Sequence, residues 1–137
     1  MAQTAEYALR VMAEMAVQRS RGPFRARDLA KKAHVPPAFL SKVMRQLVKA
    51  GLLEARHGRG GGFFLTRPLS KISFAEILAA VGSEFESNRC LFGWKKCPKK
   101  NPCLLHNQWK GMKGRLLRWA KETTLKDVRQ DRPRIST

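Results

Sequence analysis

The stretch Ala26–Arg67, ARDLAKKAHVPPAFLSKVMRQLVKAGLLEARHGRGGGFFLTR, decides the fold. Residues 26–33 predict a short helix, and His34-Val35-Pro36-Pro37 predicts a turn. Prolines interrupt a helix, and histidine is less unusual than most residues at positive φ, the backbone state this turn often reserves for glycine. Residues 37–50 predict a second helix ending at Gly51, a natural C-cap. Two strand-like runs follow, Leu52–Arg56 and Phe63–Arg67, joined by His57-Gly58-Arg59-Gly60-Gly61-Gly62. Helix, turn, helix and glycine-tipped hairpin is the order of a winged helix-turn-helix. Leu29, Ala30, Val35, Leu40 and Val43 fall where that motif places its small and apolar packing residues.

Outward from this stretch, helix signals dominate. In residues 3–19, Leu9, Met12, Ala13, Ala16 and Val17 form one apolar stripe, and Tyr7, Val11 and Met15 form a second. A helix apolar on more than one side is expected between partners. A further helix spans about Ser73–Val81, with Ser73 as N-cap and Glu76 completing a capping box. A long helix runs from Pro102 to about Lys121, and a short turn covers Leu125–Arg129. Leu105, Trp109, Met112, Leu116 and Trp119 recur along the long helix at spacings of four and three, a single seam suited to a partner helix in a homodimer. The same stripe would also suit a core within one chain. The expected fold is mainly α: a winged helix-turn-helix with a small β-hairpin wing and a long C-terminal dimerisation helix. At 137 residues it divides into a reading domain, 1–81, a loop, 82–103, and a dimerisation helix with its tail, 104–137.

Charge points to a polyanion. The chain carries 28 basic and 10 acidic residues, a formal charge of +18. Between Arg25 and Arg67 lie ten basic residues and two acidic ones. On the helix at 37–50, Leu40, Val43, Met44 and Leu47 point inward, while Ala38, Ser41, Lys42, Arg45 and Lys49 gather on the opposite face. Such a face suits the DNA major groove, with lysines on phosphates and arginine reading bases. Arg56, His57 and Arg59 place the wing against a backbone or minor groove. The glycine-rich tip is not a nucleotide cradle. No Gly-Lys-Ser/Thr follows it, and Phe63 stands where a dinucleotide fingerprint needs its third glycine. No apolar run approaches the roughly 18 residues of a spanning helix. The N-terminal MAQTAEYALRVMAEMA lacks the charge and apolar pattern of a secretion signal, so a reducing cytoplasm is expected.

Cys90, Cys97 and Cys103 share one basic, proline-punctuated loop, and His106 follows three residues after the last. These four side chains could close a metal coordination shell, and soft thiolates select zinc, copper(I) or iron–sulfur clusters. Asn101-Pro102 reads as a helix start, which puts Cys103 in a first turn whose dipole favours a thiolate. Arg89, Lys95, Lys96, Lys99 and Lys100 would offset an anionic cluster. Zinc is the rival occupant, and with it a zinc-stabilised RNA-binding protein of the three-cysteine, one-histidine type. Such fingers usually leave three residues between the last cysteine and the histidine, whereas only Leu104 and Leu105 intervene here. No Cys-x-x-Cys pair supports a thiol redox enzyme, and no catalytic residues are expected.

Jointly these fragments resemble the IscR/NsrR/RirA group of winged-helix transcription regulators. The resemblance runs from Thr4 to Arg129. It is carried by Tyr7-Ala8-Leu9-Arg10, Phe39-Leu40, Leu47 through Gly51, Gly58 through Leu65, the cysteine trio and Thr124 through Val128. It implies a homodimer with a long dimerisation helix; the expected role is a repressor that binds a double-stranded DNA operator. It further implies that DNA affinity follows the state of a 2Fe–2S or 4Fe–4S cluster on Cys90, Cys97 and Cys103. His106 matches the fourth ligand of the IscR-like branch. Glu6 falls where the NsrR-like branch supplies a first-helix carboxylate from the partner subunit. His57 replaces the usual wing arginine, and Ser41 stands where some members carry glutamate.

Overall fold

The computed structural model describes residues 3–82 and 106–128. Helix α1, Gln3–Val17, is the central element, with Ala5, Ala8, Val11, Met12, Met15 and Ala16 all fully buried. Its two apolar stripes are covered by α2 (Ala26–Ala33), α3 (Pro37–Lys49) and α4 (Phe74–Ala80), as a helix apolar on several sides requires. It stops two residues short of the expected end, and Arg19 just beyond adopts a φ of 52° that no helix can continue.

The helix-turn-helix forms as read. His34 takes φ 55° and ψ 48°, and the Val35 amide donates to the Ala30 carbonyl at 3.0 Å. Leu40, Val43, Met44 and Leu47 face the core from α3. The end of α3 is a Schellman cap: Gly51 donates to Val48 at 3.0 Å and Leu52 to Leu47 at 3.1 Å, with Gly51 at φ 82°. The cap residue is therefore Ala50, and Gly51 is the left-handed residue that follows it. Both Leu47 and Leu52 are buried, which seals the turn with an apolar contact.

The first strand begins one residue later than expected, although the Leu52 carbonyl still accepts from the Thr66 amide at 3.3 Å. Strand β1 is Leu53–Arg56, and β2 is Gly62–Leu65, two residues shorter at its end than expected. They pair antiparallel from Leu53 opposite Leu65 to Arg56 opposite Gly62. Phe24 adds a rung outside the hairpin, exchanging two 2.8 Å backbone bonds with Phe63. At that rung Gly62 sits at φ 142°, and a Cβ there would lie 2.8 Å from the Phe24 carbonyl oxygen, so only glycine permits the approach.

Ser73 caps α4 by accepting from the Glu76 amide at 3.2 Å. The box is only half closed, because the Glu76 carboxylate turns to Arg67 Nη1 at 2.6 Å. A complete capping box forms instead at Thr124 and Asp127, opening a 3-10 turn at Leu125–Asp127. Helix α5, His106–Glu122, packs on α4. After it the chain returns to the reading domain. Leu125 is fully buried in the same core as Ile72 and Ile77, and its amide donates to the Ile72 carbonyl at 3.0 Å.

Candidate nucleic-acid interface

Helix α3 builds the first part of the site. One face anchors it through four buried side chains, so the opposite face must point outward at 100° per residue. Ala38, Ser41, Lys42, Arg45 and Lys49 are all exposed there. From Ala38 to Lys49 the face extends about 17 Å, a length a major groove accepts. Ser41 Oγ donates back to the Pro37 carbonyl at 3.3 Å. Among the described residues no ion pair engages Lys42, Arg45 or Lys49, so their charge is available to a polyanion.

The wing is less uniform. Arg59 and His57 are exposed at a tip closed by a 3.0 Å bond from the Gly61 amide to the Gly58 carbonyl. Arg56 is exposed but committed: its guanidinium lies 4.2 Å from the Phe64 ring centroid, and Nε donates to Glu54 at 3.2 Å. Such an exposed pair contributes at most about 1 kcal/mol to stability. Its effect is to hold Arg56 flat along the hairpin, leaving Arg59 as the freely projecting cation of the wing.

A cluster that the sequence reading missed sits beside α3. Phe39 packs on Tyr7, edge to face, with centroids 5.4 Å apart. Arg10 lies 5.6 Å over the Tyr7 ring and donates to the His34 carbonyl at 3.4 Å. The Tyr7-Ala8-Leu9-Arg10 fragment was visible, but its partner on α3 is 32 positions away from Tyr7 and periodicity cannot pair them.

On α5 Lys113 and Ala120 are buried and Leu117 is half-buried, while the helix as a whole packs on α4. The apolar seam lies about 90° round the helix and is left uncovered: Met112 is 54 %, Leu116 39 % and Trp119 53 % exposed. Trp119 still touches Phe74 edge-on at 5.5 Å. Leu105 lies outside the described residues, as does the side chain of Trp109.

Of the metal-ligand candidates, Glu6 is exposed in the first turn of α1. Cys90, Cys97 and Cys103 lie outside the described residues, and so does the side chain of His106, whose backbone opens α5. Among the described residues no group of three or more His, Cys, Asp or Glu could hold a metal ion.

The model of the Rrf2 family, described as an iron-dependent transcriptional regulator, matches residues 1–131. The chain belongs to the Rrf2 family. A protein of Aquifex aeolicus named as an HTH-type transcriptional regulator is 34 % identical over 127 residues, covering 91 % of this chain and 88 % of that one. The HTH-type transcriptional regulator IscR of Escherichia coli is 28 % identical over 122 residues, covering 89 % of this chain and 75 % of its own. Among solved structures, CymR of B. subtilis, titled the global cysteine regulator, superposes with a TM-score of 0.78 at 19 % identity, covering 93 % of this chain and 94 % of that one. IscR of T. potens gives 0.72 at 20 %, covering 93 % and 83 %. At those identities the superpositions establish the winged-helix fold and nothing finer. This Rrf2 chain is a transcriptional regulator with a DNA-binding fold, not an enzyme. Among its described residues no helix is long and apolar enough to cross a membrane.

Proposed function

We propose that this Rrf2 protein is a homodimeric, operator-binding repressor of the cytoplasm whose affinity for double-stranded DNA depends on an iron–sulfur cluster. The observation that carries the DNA reading is the α3 face, where Lys42, Arg45 and Lys49 stand exposed and without ion pairs among the described residues, above four buried anchors. The reading divides the chain into the reading domain at 1–81, a sensor loop at 82–103 and the dimerisation arm at 104–137.

The donor set fits such a cluster. Three thiolates within residues 90–103 are the ligand type that iron–sulfur chemistry requires. His106 at the start of α5 or the exposed Glu6 of the partner subunit would complete the set. When bound, the cluster supplies a redox-active, displaceable group. The surrounding lysines of the loop balance the negative charge of the thiolates. The exposed seam of α5 supports the homodimer, since Met112, Leu116 and Trp119 form an apolar stripe that the other described elements leave largely open to a second chain.

The test is anaerobic purification followed by iron, acid-labile sulfide and zinc analysis with a visible spectrum. Coloured protein with near-stoichiometric iron and sulfide is the expected result. Colourless protein carrying zinc would replace this reading with the zinc-stabilised RNA-binding alternative.

A further inference from the structure

Phe39 is the exposed aromatic of the reading domain. It is 39 % exposed, and the other large apolar side chains exposed among the described residues, Met112, Leu116 and Trp119, all lie on α5. Its ring is not loose. Tyr7 supports it edge-on at 5.4 Å, and Tyr7 is itself held on two sides. Gln3 Nε2 donates to the Tyr7 hydroxyl at 2.8 Å, while the Arg10 guanidinium covers the ring at 5.6 Å. The first turn of α3, Pro37-Ala38-Phe39, is thus wholly apolar and exposed, and the cations of the outward face begin only at Lys42.

Recognition helices present their N-terminal residues to base edges. In the major groove an apolar side chain has one complementary feature, the C5 methyl of thymine. We propose that Phe39, flanked by the Ala38 methyl, is a specificity-determining residue that reads a thymine methyl in each operator half-site. Tyr7 is its positioning residue, touching the ring and not the DNA. The proposal rests on α3 being the recognition helix, and it adds an apolar determinant to the polar face already described.

The test removes the methyl and leaves the base pair. A duplex selected from a random library by the full-length protein is re-synthesised with deoxyuridine in place of thymine, one position per half-site at a time. Wild-type protein should lose roughly three- to fivefold in affinity at one such position, the order expected for one apolar group left unburied. Phe39→Ala should bind the thymine duplex more weakly and no longer distinguish it from the uracil duplex. Tyr7→Ala should narrow the thymine-to-uracil ratio with non-specific binding unchanged, and Tyr7→Phe, which keeps the ring, should restore it. A uracil scan that nowhere weakens wild-type binding overturns the proposal without touching the role of α3, and it needs no variant to fold. A uracil penalty that persists undiminished in Phe39→Ala overturns it equally. If the wild-type protein selects no sequence at all, the recognition-helix reading falls first.

Discussion

Arg45 and Lys42 are near neighbours on one helix face, yet they are expected to do different work. Arg45 lies close to the centre of the outward face, where a planar guanidinium can meet a guanine edge with two bonds. Arg45→Ala should cost about 1–3 kcal/mol in operator binding and relax preference at one position of each half-site. Lys42 is a point charge suited to a phosphate. Lys42→Ala should weaken binding to all sequences and lower the slope of log affinity against log salt by about 1. Titrations at several salt concentrations separate the two, and unchanged affinity in both variants would remove α3 from the interface. Single residues also show what sequence can encode locally. His34 was legible as a positive-φ position because the turn demands it, whereas the pairing of Glu76 with Arg67 was not, because nothing local to α4 names that partner.

Helix α5 has two faces with different obligations. Lys113 and Ala120 are buried, whereas Met112, Leu116 and Trp119 on the neighbouring face are exposed. Gly111 and Gly114 each weaken the helix by about 1 kcal/mol relative to alanine, so α5 depends on such packing. Replacing Met112 and Leu116 together with glutamate should therefore convert dimers to monomers in sedimentation velocity. Thermal stability of the monomer should change little, since neither side chain serves the chain's own core. A double variant that remains dimeric would place the interface elsewhere. Specific DNA binding should fall with the dimer, because a two-fold operator needs two recognition helices about one turn of DNA apart.

The reading domain and the C-terminal arm share one core. Leu125 is fully buried with Ile72, and the Phe74 amide donates to the Thr123 carbonyl at 2.9 Å, so the end of α5 is pinned to the start of α4. Leu125→Ala should destabilise the whole protein by about 2–5 kcal/mol in chemical denaturation, the range for emptying a buried leucine site. A cost below 0.5 kcal/mol would show that the arm is detachable. This shared core is also the physical link by which a sensor loop joined to both α4 and α5 could bias the reading heads. Cys97→Ala should abolish the visible chromophore and shift operator affinity by at least about fivefold, the lower end of ordinary coupling between sites. Non-specific binding should hold, because the charges of α3 and the wing are untouched. A variant that keeps both colour and affinity would separate the loop from the switch.

The sequence alone determined the order of elements, the buried face of α3, the left-handed turn at His34 and the Ser73 cap. Each of these is set within a few residues, by a 3.6-residue period, a proline or a hydroxyl at a helix start. The cysteine loop and the basic balance likewise needed only composition and spacing. Tertiary structure decided the rest: that Phe24 pairs with Phe63, that Glu76 leaves its capping box for Arg67, that Leu125 returns to the core, and that Phe39 is propped outward by Tyr7. These are contacts between segments brought together only by folding. Periodicity says that a face is apolar, but which face finds a partner inside the chain, and which waits for one outside it, depends on where every other element packs.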